Sequence, residues 1–377
     1  MLIKKIFCFS LIVISAVLFF SFGAVAIDVS AKSAVVIDSR TNEIIFQKSA
    51  FEKRSMASTT KIMTACLAIE SGRLNETVNI TAEMTKAEGT SIGLHPGDKI
   101  SLCDLVYGMM LESGNDAANA VAVHLSGSLS SFAALMNKKA QEIGMESTNF
   151  VTPSGLDDEK HYSTAYDMAL LASYCIKNPT FRNACSAKKY TARLLEPQTK
   201  LYFSNHNRLL SSVDGVFGVK TGFTKKSGRC LVSAIEKDGA VLVAVTLNAP
   251  NDWNDHKRLY DYALEKLEKK KVSPQYQKTL HVVGGTKSSV KIKAVCDEFY
   301  VSTYGNKALT QKAYLPAFVY APLRAGDCVG RIEFFCGENR IKTVFLFAQK
   351  SVERIQATYT PKKSLKERII DRIKSLF

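Results

Sequence analysis

No C-x-x-C spacing occurs among the nine cysteines, and acidic residues are scarce, 35 against 50 Lys plus Arg in 377 residues. The first absence argues against a cysteine-built metal or redox centre. The second leaves a formal net charge of +15, which predicts attraction to an anionic surface: nucleic acid, acidic lipid or an acidic wall polymer. No metal or cofactor is expected. A hydrophobic content of 46% indicates a globular chain, and the length favours two or more domains.

Residues 1–26 combine a basic start, Lys4-Lys5, an uncharged apolar run from Ile6 to Val25 and the small-residue site Ala24-Val25-Ala26. That order predicts a secretory signal cleaved before Ile27, and export makes nucleic acid an unexpected partner. Removing Cys8 with the signal leaves eight cysteines, mostly in apolar runs, which predicts buried free thiols. The best disulfide candidate is Cys328 with Cys336, in a possible hairpin CVGRIEFFC.

Three short strings carry the chemistry: Ser58-Thr59-Thr60-Lys61, Ser113-Gly114-Asn115 and Lys220-Thr221-Gly222. S-x-x-K recurs at Ser186 and Ser288, and S-x-N at Ser147, but K-T-G occurs once, so the information lies in the order of the set. Serine becomes a nucleophile when a nearby base takes its proton, and a helix opening at Ser58 puts Lys61 one turn on, on the same face. A helix N-terminus and apolar surroundings both lower a lysine's proton affinity. Ser113 is placed to relay a proton to the leaving amine, and Asn115 to hold a substrate amide. Lys220 and Thr221 offer a cation and a hydroxyl to a carboxylate, and Gly222 permits a close backbone approach. Backbone N–H groups of Ser58 and Phe223 would form an oxyanion hole.

Around these motifs, SAVVIDSRTNEIIFQKSA reads as strand, turn, strand; residues 58–71, 102–112 and 115–126 as helices; and the stretch from Gly215 as an antiparallel hairpin series, closed by a helix at YDYALEKLEKKK. EKKKVSPQYQK reads as a linker. The expected fold class is α+β, an antiparallel sheet with a helical cluster over 27–271, then a small all-β domain over 278–357. Residues 361–377 gather Leu365, Ile369, Ile370, Ile373, Leu376 and Phe377 on one face of a basic helix, the pattern of a membrane-surface segment.

With STTK, SGN, KTG, the strings KAEGTSIGLHPGDKIS, MMLESGNDAANAVA and GLDDEKHYSTAYDMALL, and the basic tail, the chain resembles the low-molecular-mass penicillin-binding proteins of the D-alanyl-D-alanine carboxypeptidase type. The resemblance implies a β-lactamase/transpeptidase-like fold and a serine acyl-enzyme that removes the terminal D-alanine from peptidoglycan stem pentapeptides and is trapped by β-lactams. It carries over Ser58 as nucleophile, Lys61 as base, Ser113 and Asn115 as the second element, and Lys220 and Thr221 as carboxylate binders. The leader and the basic tail together predict an extracytoplasmic protein lying on the outer face of the cytoplasmic membrane. In the family the stretch with His161 and Asp167 lies beside the site; a capping and packing role is the alternative, and neither residue is placed in the catalytic set. Where the family often places a basic residue, in APNDWNDHKR, stands Trp253.

Competing readings are weaker. A class A β-lactamase needs a water-activating glutamate, and Glu146 sits in EIGMESTNF without the Glu-x-x-Leu-Asn form. A non-catalytic wall-binding or penicillin-sensing protein would not need Ser58, Lys61 and Lys220 intact. A high-molecular-mass transpeptidase would carry a glycosyltransferase-sized region before Ser58.

Overall fold

The computed structural model describes residues 27–237, 239–304, 308–356 and 362–375; the expected signal over 1–26 lies outside them, as do Leu376 and Phe377. The described residues divide into two compact units, up to Leu267 and from Glu268.

In the first unit, nine strands follow in chain order: β1 (Ser33–Asp38), β2 (Glu43–Lys48), β3 (Thr77–Asn79), β4 (Lys99–Ser101), β5 (Lys189–Glu196), β6 (Thr199–Ser204), β7 (Val216–Thr224), β8 (Gly228–Lys237) and β9 (Ala240–Leu247). Five form an antiparallel sheet in the order β2-β1-β9-β8-β7. Its chain-distant pairing, β1 with β9, joins the first hairpin to the last three strands. One face carries Val35, Ile37, Val232, Val243 and Val245 into the core shared with the helices Lys61–Glu70, Leu102–Leu111, Asn115–Ser126 and Ala165–Cys175. The other face packs on the helix Asp252–Glu265, where His256 bonds to Ser233 and Thr246. Cover on both faces explains why AVLVAVTL reads as an unbroken apolar run rather than an alternation.

The last helix of this unit begins and ends earlier than the sequence suggests. It spans Asp252–Glu265, and Leu267–Val272, read as helix and linker, is strand β10. Its partner is Phe299–Tyr304, β13. The remaining strands of the second unit are β11 (Gln277–Val283), β12 (Ser289–Ala294), β14 (Leu309–Tyr314), β15 (Phe318–Tyr320), β16 (Cys328–Cys336) and β17 (Asn339–Ala348), in a six-stranded sheet ordered β14-β16-β17-β12-β11-β15. Leu280, Val290, Ile292, Ile332, Phe334 and Leu346 build its core.

CVGRIEFFC is therefore one strand and not a hairpin. Cys328 and Cys336 sit at its two ends, about 26 Å apart at the usual rise per residue, far beyond the reach of a disulfide. None of the eight described cysteines is in a disulfide; five are buried and Cys328 is exposed. The two other S-x-x-K matches dissolve in the same way. Ser186 ends a helix whose successor Lys189 opens β5, and Ser288 precedes β12.

The helix Leu365–Lys374 starts with a capping box: Ser364 Oγ accepts from Glu367 N–H, and Glu367 accepts from Ser364 N–H. None of its residues is buried, and Leu365, Ile369, Ile370 and Ile373 all face solvent. No described helix is long and apolar enough to cross a membrane.

Candidate active site

Ser58 lies in a 3₁₀ turn, Ala57–Thr60, that runs directly into the helix beginning at Lys61. The tighter turn still brings the two side chains together. Lys61 Nζ is 2.9 Å from Ser58 Oγ, 2.7 Å from Asn115 Oδ1 and 2.7 Å from the Ser154 carbonyl. A neutral amine has two hydrogens and one lone pair. The two carbonyl-type oxygens can only accept, so they take the hydrogens, and the lone pair is left facing the hydroxyl of Ser58.

The electrostatics favour that neutral form. Lys61 is fully buried; burial, then the charge of Lys220, holds its ammonium well below the ordinary lysine range, with Asp116 pulling the other way. Lys220 is itself buried, which brings it down to about 7 against the opposing charge of Glu112.

Ser113 ends one helix in the left-handed conformation (φ 66), and Gly114 caps the next, Asn115–Ser126. The capping reading of Ser-Gly-Asn is thus realised at this turn, and strain in a non-glycine residue is a common mark of a functional site. Asn115 is buried, its amide donating to the Glu88 carbonyl at 2.5 Å. Asp116 accepts from Ser91 Oγ and from the N–H groups of Ile92 and Leu94. These bonds tie the EGTSIGL segment to the second motif.

A cavity of about 510 Å³ opens beside this cluster. Ser58, Ser113, Thr221, Gly222 and Phe223 line it; Lys61, Asn115 and Lys220 do not. Those three lie beneath it, and Lys220 donates to the carbonyl of Thr221 rather than reaching the open space. The close approach at Gly222 is the protein's own. A Cβ there would stand 3.0 Å from Ser58 N and 3.1 Å from Met56 O, so the bare strand is what lets β7 run against the turn that holds Ser58.

The cations that do line the cavity are Arg208 and Arg229, which the motifs did not single out. Arg229 stands opposite Phe223 in the β7–β8 ladder, so both side chains share a face. Its Nε donates to the buried Asp252 at 3.0 Å, and its guanidinium lies 5.6 Å from the centroid of Trp253. The signal was present in the sequence. The hairpin turn after KTGF returns the chain so that the arginine of SGRC faces the motif.

Residues 21–251 match the family model for D-alanyl-D-alanine carboxypeptidase, and residues 262–354 match that for the penicillin-binding protein 5 C-terminal domain. The chain belongs to the D-alanyl-D-alanine carboxypeptidase family. It is 34% identical over 272 residues to D-alanyl-D-alanine carboxypeptidase DacF of Bacillus subtilis, covering 70% of this chain and 67% of the relative. It is 30% identical over 336 residues to DacA of Haemophilus influenzae, covering 83% of each. Among solved structures, penicillin-binding protein 5 from Haemophilus influenzae matches with a TM-score of 0.63 and 26% identity, over 88% of this chain and 100% of that one. The Streptomyces K15 DD-transpeptidase matches at 0.61 and 30%, over 64% and 100%.

Two further side chains in this carboxypeptidase-family chain act through structure. His161 Nδ1 accepts from Val151 N–H at 2.9 Å, so its proton sits on Nε2, which reaches Thr60 Oγ1 at 2.8 Å; burial pushes its pKa down to about 4. Asp167 accepts from Ser147 N–H and Thr148 Oγ1, while Thr164 caps its helix. Glu146 is exposed and lines a separate hollow. The carboxylate lining the cavity beside Ser58 is Asp252, already engaged by Arg229.

Proposed function

We propose that this protein is a serine D-alanyl-D-alanine carboxypeptidase that removes the terminal D-alanine from peptidoglycan stem pentapeptides. The observation that carries the reading is the 2.9 Å contact of a buried, proton-poor Lys61 with Ser58 Oγ. Lys61 takes the hydroxyl proton as Ser58 attacks the penultimate carbonyl, with the N–H groups of Ser58 and Phe223 as oxyanion donors. That proton passes from Lys61 through the Ser113 hydroxyl to the departing D-alanine nitrogen, and water then releases the acyl-enzyme. A β-lactam undergoes the same attack, but its ring opens without losing the leaving group, so the ester persists.

Recognition of the terminal carboxylate falls to Thr221 and Arg229. Asp252 holds Nε of Arg229, which leaves the paired terminal nitrogens for a bidentate contact. Lys220 adds positive charge from below, and Asn115 orients Lys61.

The leader, the basic charge and the exposed apolar side of Leu365–Lys374 support export and attachment to the outer face of the cytoplasmic membrane, among wall polymers rather than nucleic acid. Deleting residues 361–377 should move the protein to the soluble fraction; unchanged sedimentation with membranes overturns the attachment.

The activity is tested by incubating the protein with a pentapeptide ending in D-Ala-D-Ala and following free D-alanine by mass spectrometry. Release that disappears in Ser58→Ala, together with loss of fluorescent-penicillin labelling, is expected. No release, or equal release by Ser58→Ala, overturns the reading.

A further inference from the structure

The solvent face of the six-stranded sheet carries a pattern that a catalytic role for the first unit does not use. Ladder partners share a face and neighbours along a strand alternate, so the pairing register shows which side chains stand together. Phe318 and Tyr320 on the edge strand β15 pair with His281 and Val283 on β11. Lys291 and Lys293 follow on β12, and Phe345 and Arg331 pair across β17 and β16. Tyr314 and Lys312 close the row on β14. The intervening residues Leu280, Val282, Ile292, Ile332, Val344 and Leu346 are buried on the opposite face.

Rings on β15, β17 and β14 thus share one face with cations on β12, β16 and β14, neighbouring strands lying about 4.8 Å apart. Three of the rings are open to solvent, Phe318, Tyr320 (68% exposed) and Phe345 (53%), whereas Tyr314 is covered by Lys312 and Arg331. The carboxylate of this face, Glu333, is neutralised by Arg331 at 2.8 Å and Arg340 at 3.2 Å, so the surface is net cationic.

We propose that this face binds the peptidoglycan network itself, its rings stacking on sugar faces and its lysines pairing with stem-peptide carboxylates. Charge complementarity selects an anionic polymer. The apolar part of the face is short, the ring pair Phe318 and Tyr320 with centroids 5.2 Å apart beside Val283, and the strands next to it carry Lys291, Lys293 and Arg331. The choice of peptidoglycan rests on the proposed function, because the first unit would then act on the polymer the second unit grips. Such a surface turns a weak encounter with one stem peptide into repeated encounters with its neighbours, by raising the local concentration.

The test uses the full chain with Ser58 blocked by benzylpenicillin, co-sedimented with insoluble peptidoglycan stripped of phosphate polymers by hydrofluoric acid. Phe318→Ser with Tyr320→Ser, and separately Lys291→Glu with Lys293→Glu, should each weaken binding about tenfold, the size of one or two lost ring or ion contacts. Only the lysine pair should reduce the salt dependence. Release of D-alanine from a soluble pentapeptide and the melting temperature should stay as in the unaltered chain, which separates this loss from misfolding. Unchanged binding by both variants overturns the proposal. So does binding that requires the phosphate polymers, or that the variants lose only on phosphatidylglycerol vesicles or single-stranded DNA. If the unaltered chain releases D-alanine but fails to sediment, the surface fails and the enzyme stands; if it sediments without releasing D-alanine, the enzyme reading fails alone.

Discussion

Lys220 lowers the proton affinity of Lys61 across a shared buried site. Burial disfavours both ammonium groups there, and the Lys220 charge lowers Lys61, the lysine touching Ser58, further. Removing the charge in Lys220→Gln should raise the Lys61 pKa and move the acid limb of penicillin acylation to higher pH, beyond any loss of rate. A limb that stays in place would show that Lys220 does not tune Lys61.

The same pair sets a stability trend. A lysine with a folded pKa below its unfolded value, as burial gives Lys61 and Lys220, binds fewer protons when folded. Stability from these groups therefore rises as pH climbs from about 7 toward the unfolded lysine value of about 10.4. Lys61→Met should raise the melting temperature near neutral pH while abolishing acylation, the usual conflict between a strained site and a stable one. Thermal scans of both proteins across that window check it.

At low pH the sign comes from histidine. Burial pushes His161 down to about 4 and His256 to about 3, from an unfolded value near 6.5. The unfolded chain then binds up to two more protons around pH 5, so melting temperature falls as pH drops from about 6.5. His161→Gln should lower the linked proton number by about one, measured from the slope of stability against pH.

Arg229→Gln should cost about 10- to 100-fold in kcat/KM, the range for losing a charge-assisted contact. The loss should be confined to substrates with a free terminal carboxylate and largely vanish on the C-terminal amide. Arg208→Gln serves as the comparison. Equal losses on acid and amide would assign Arg229 to packing against Asp252 and Trp253.

Two glycines should fail differently. In Gly222→Ala the new methyl meets Ser58 N at 3.0 Å, so the turn shifts slightly and kcat/KM falls on the order of 10-fold or more with little change in melting. Gly155 has φ +87 and a virtual Cβ only 1.9 Å from the Ala57 carbonyl. Gly155→Ala should lower the melting temperature sharply, because no small shift relieves a backbone contact.

Much of this was legible in the residues. The spacing of Ser58 and Lys61, the turn at Ser113, the strand of Lys220 and the amphipathic end at Leu365–Lys374 are local, set by periodicities of a few residues. CVGRIEFFC misled because a short run containing Gly330 fits a strand as well as a hairpin; its ladder with β14 and β17 decided.

The sequence by itself determined which groups could do the chemistry: a serine with a lysine one turn away, a polar turn and a cationic strand, in one order. Tertiary structure decided what each of them touches. Packing buried Lys61, Asn115 and Lys220 beneath the cavity, where loss of water shifts the lysines, and strand pairing brought Arg229 to its rim opposite Phe223. Burial and register depend on contacts between residues far apart in the chain, and no local pattern encodes them.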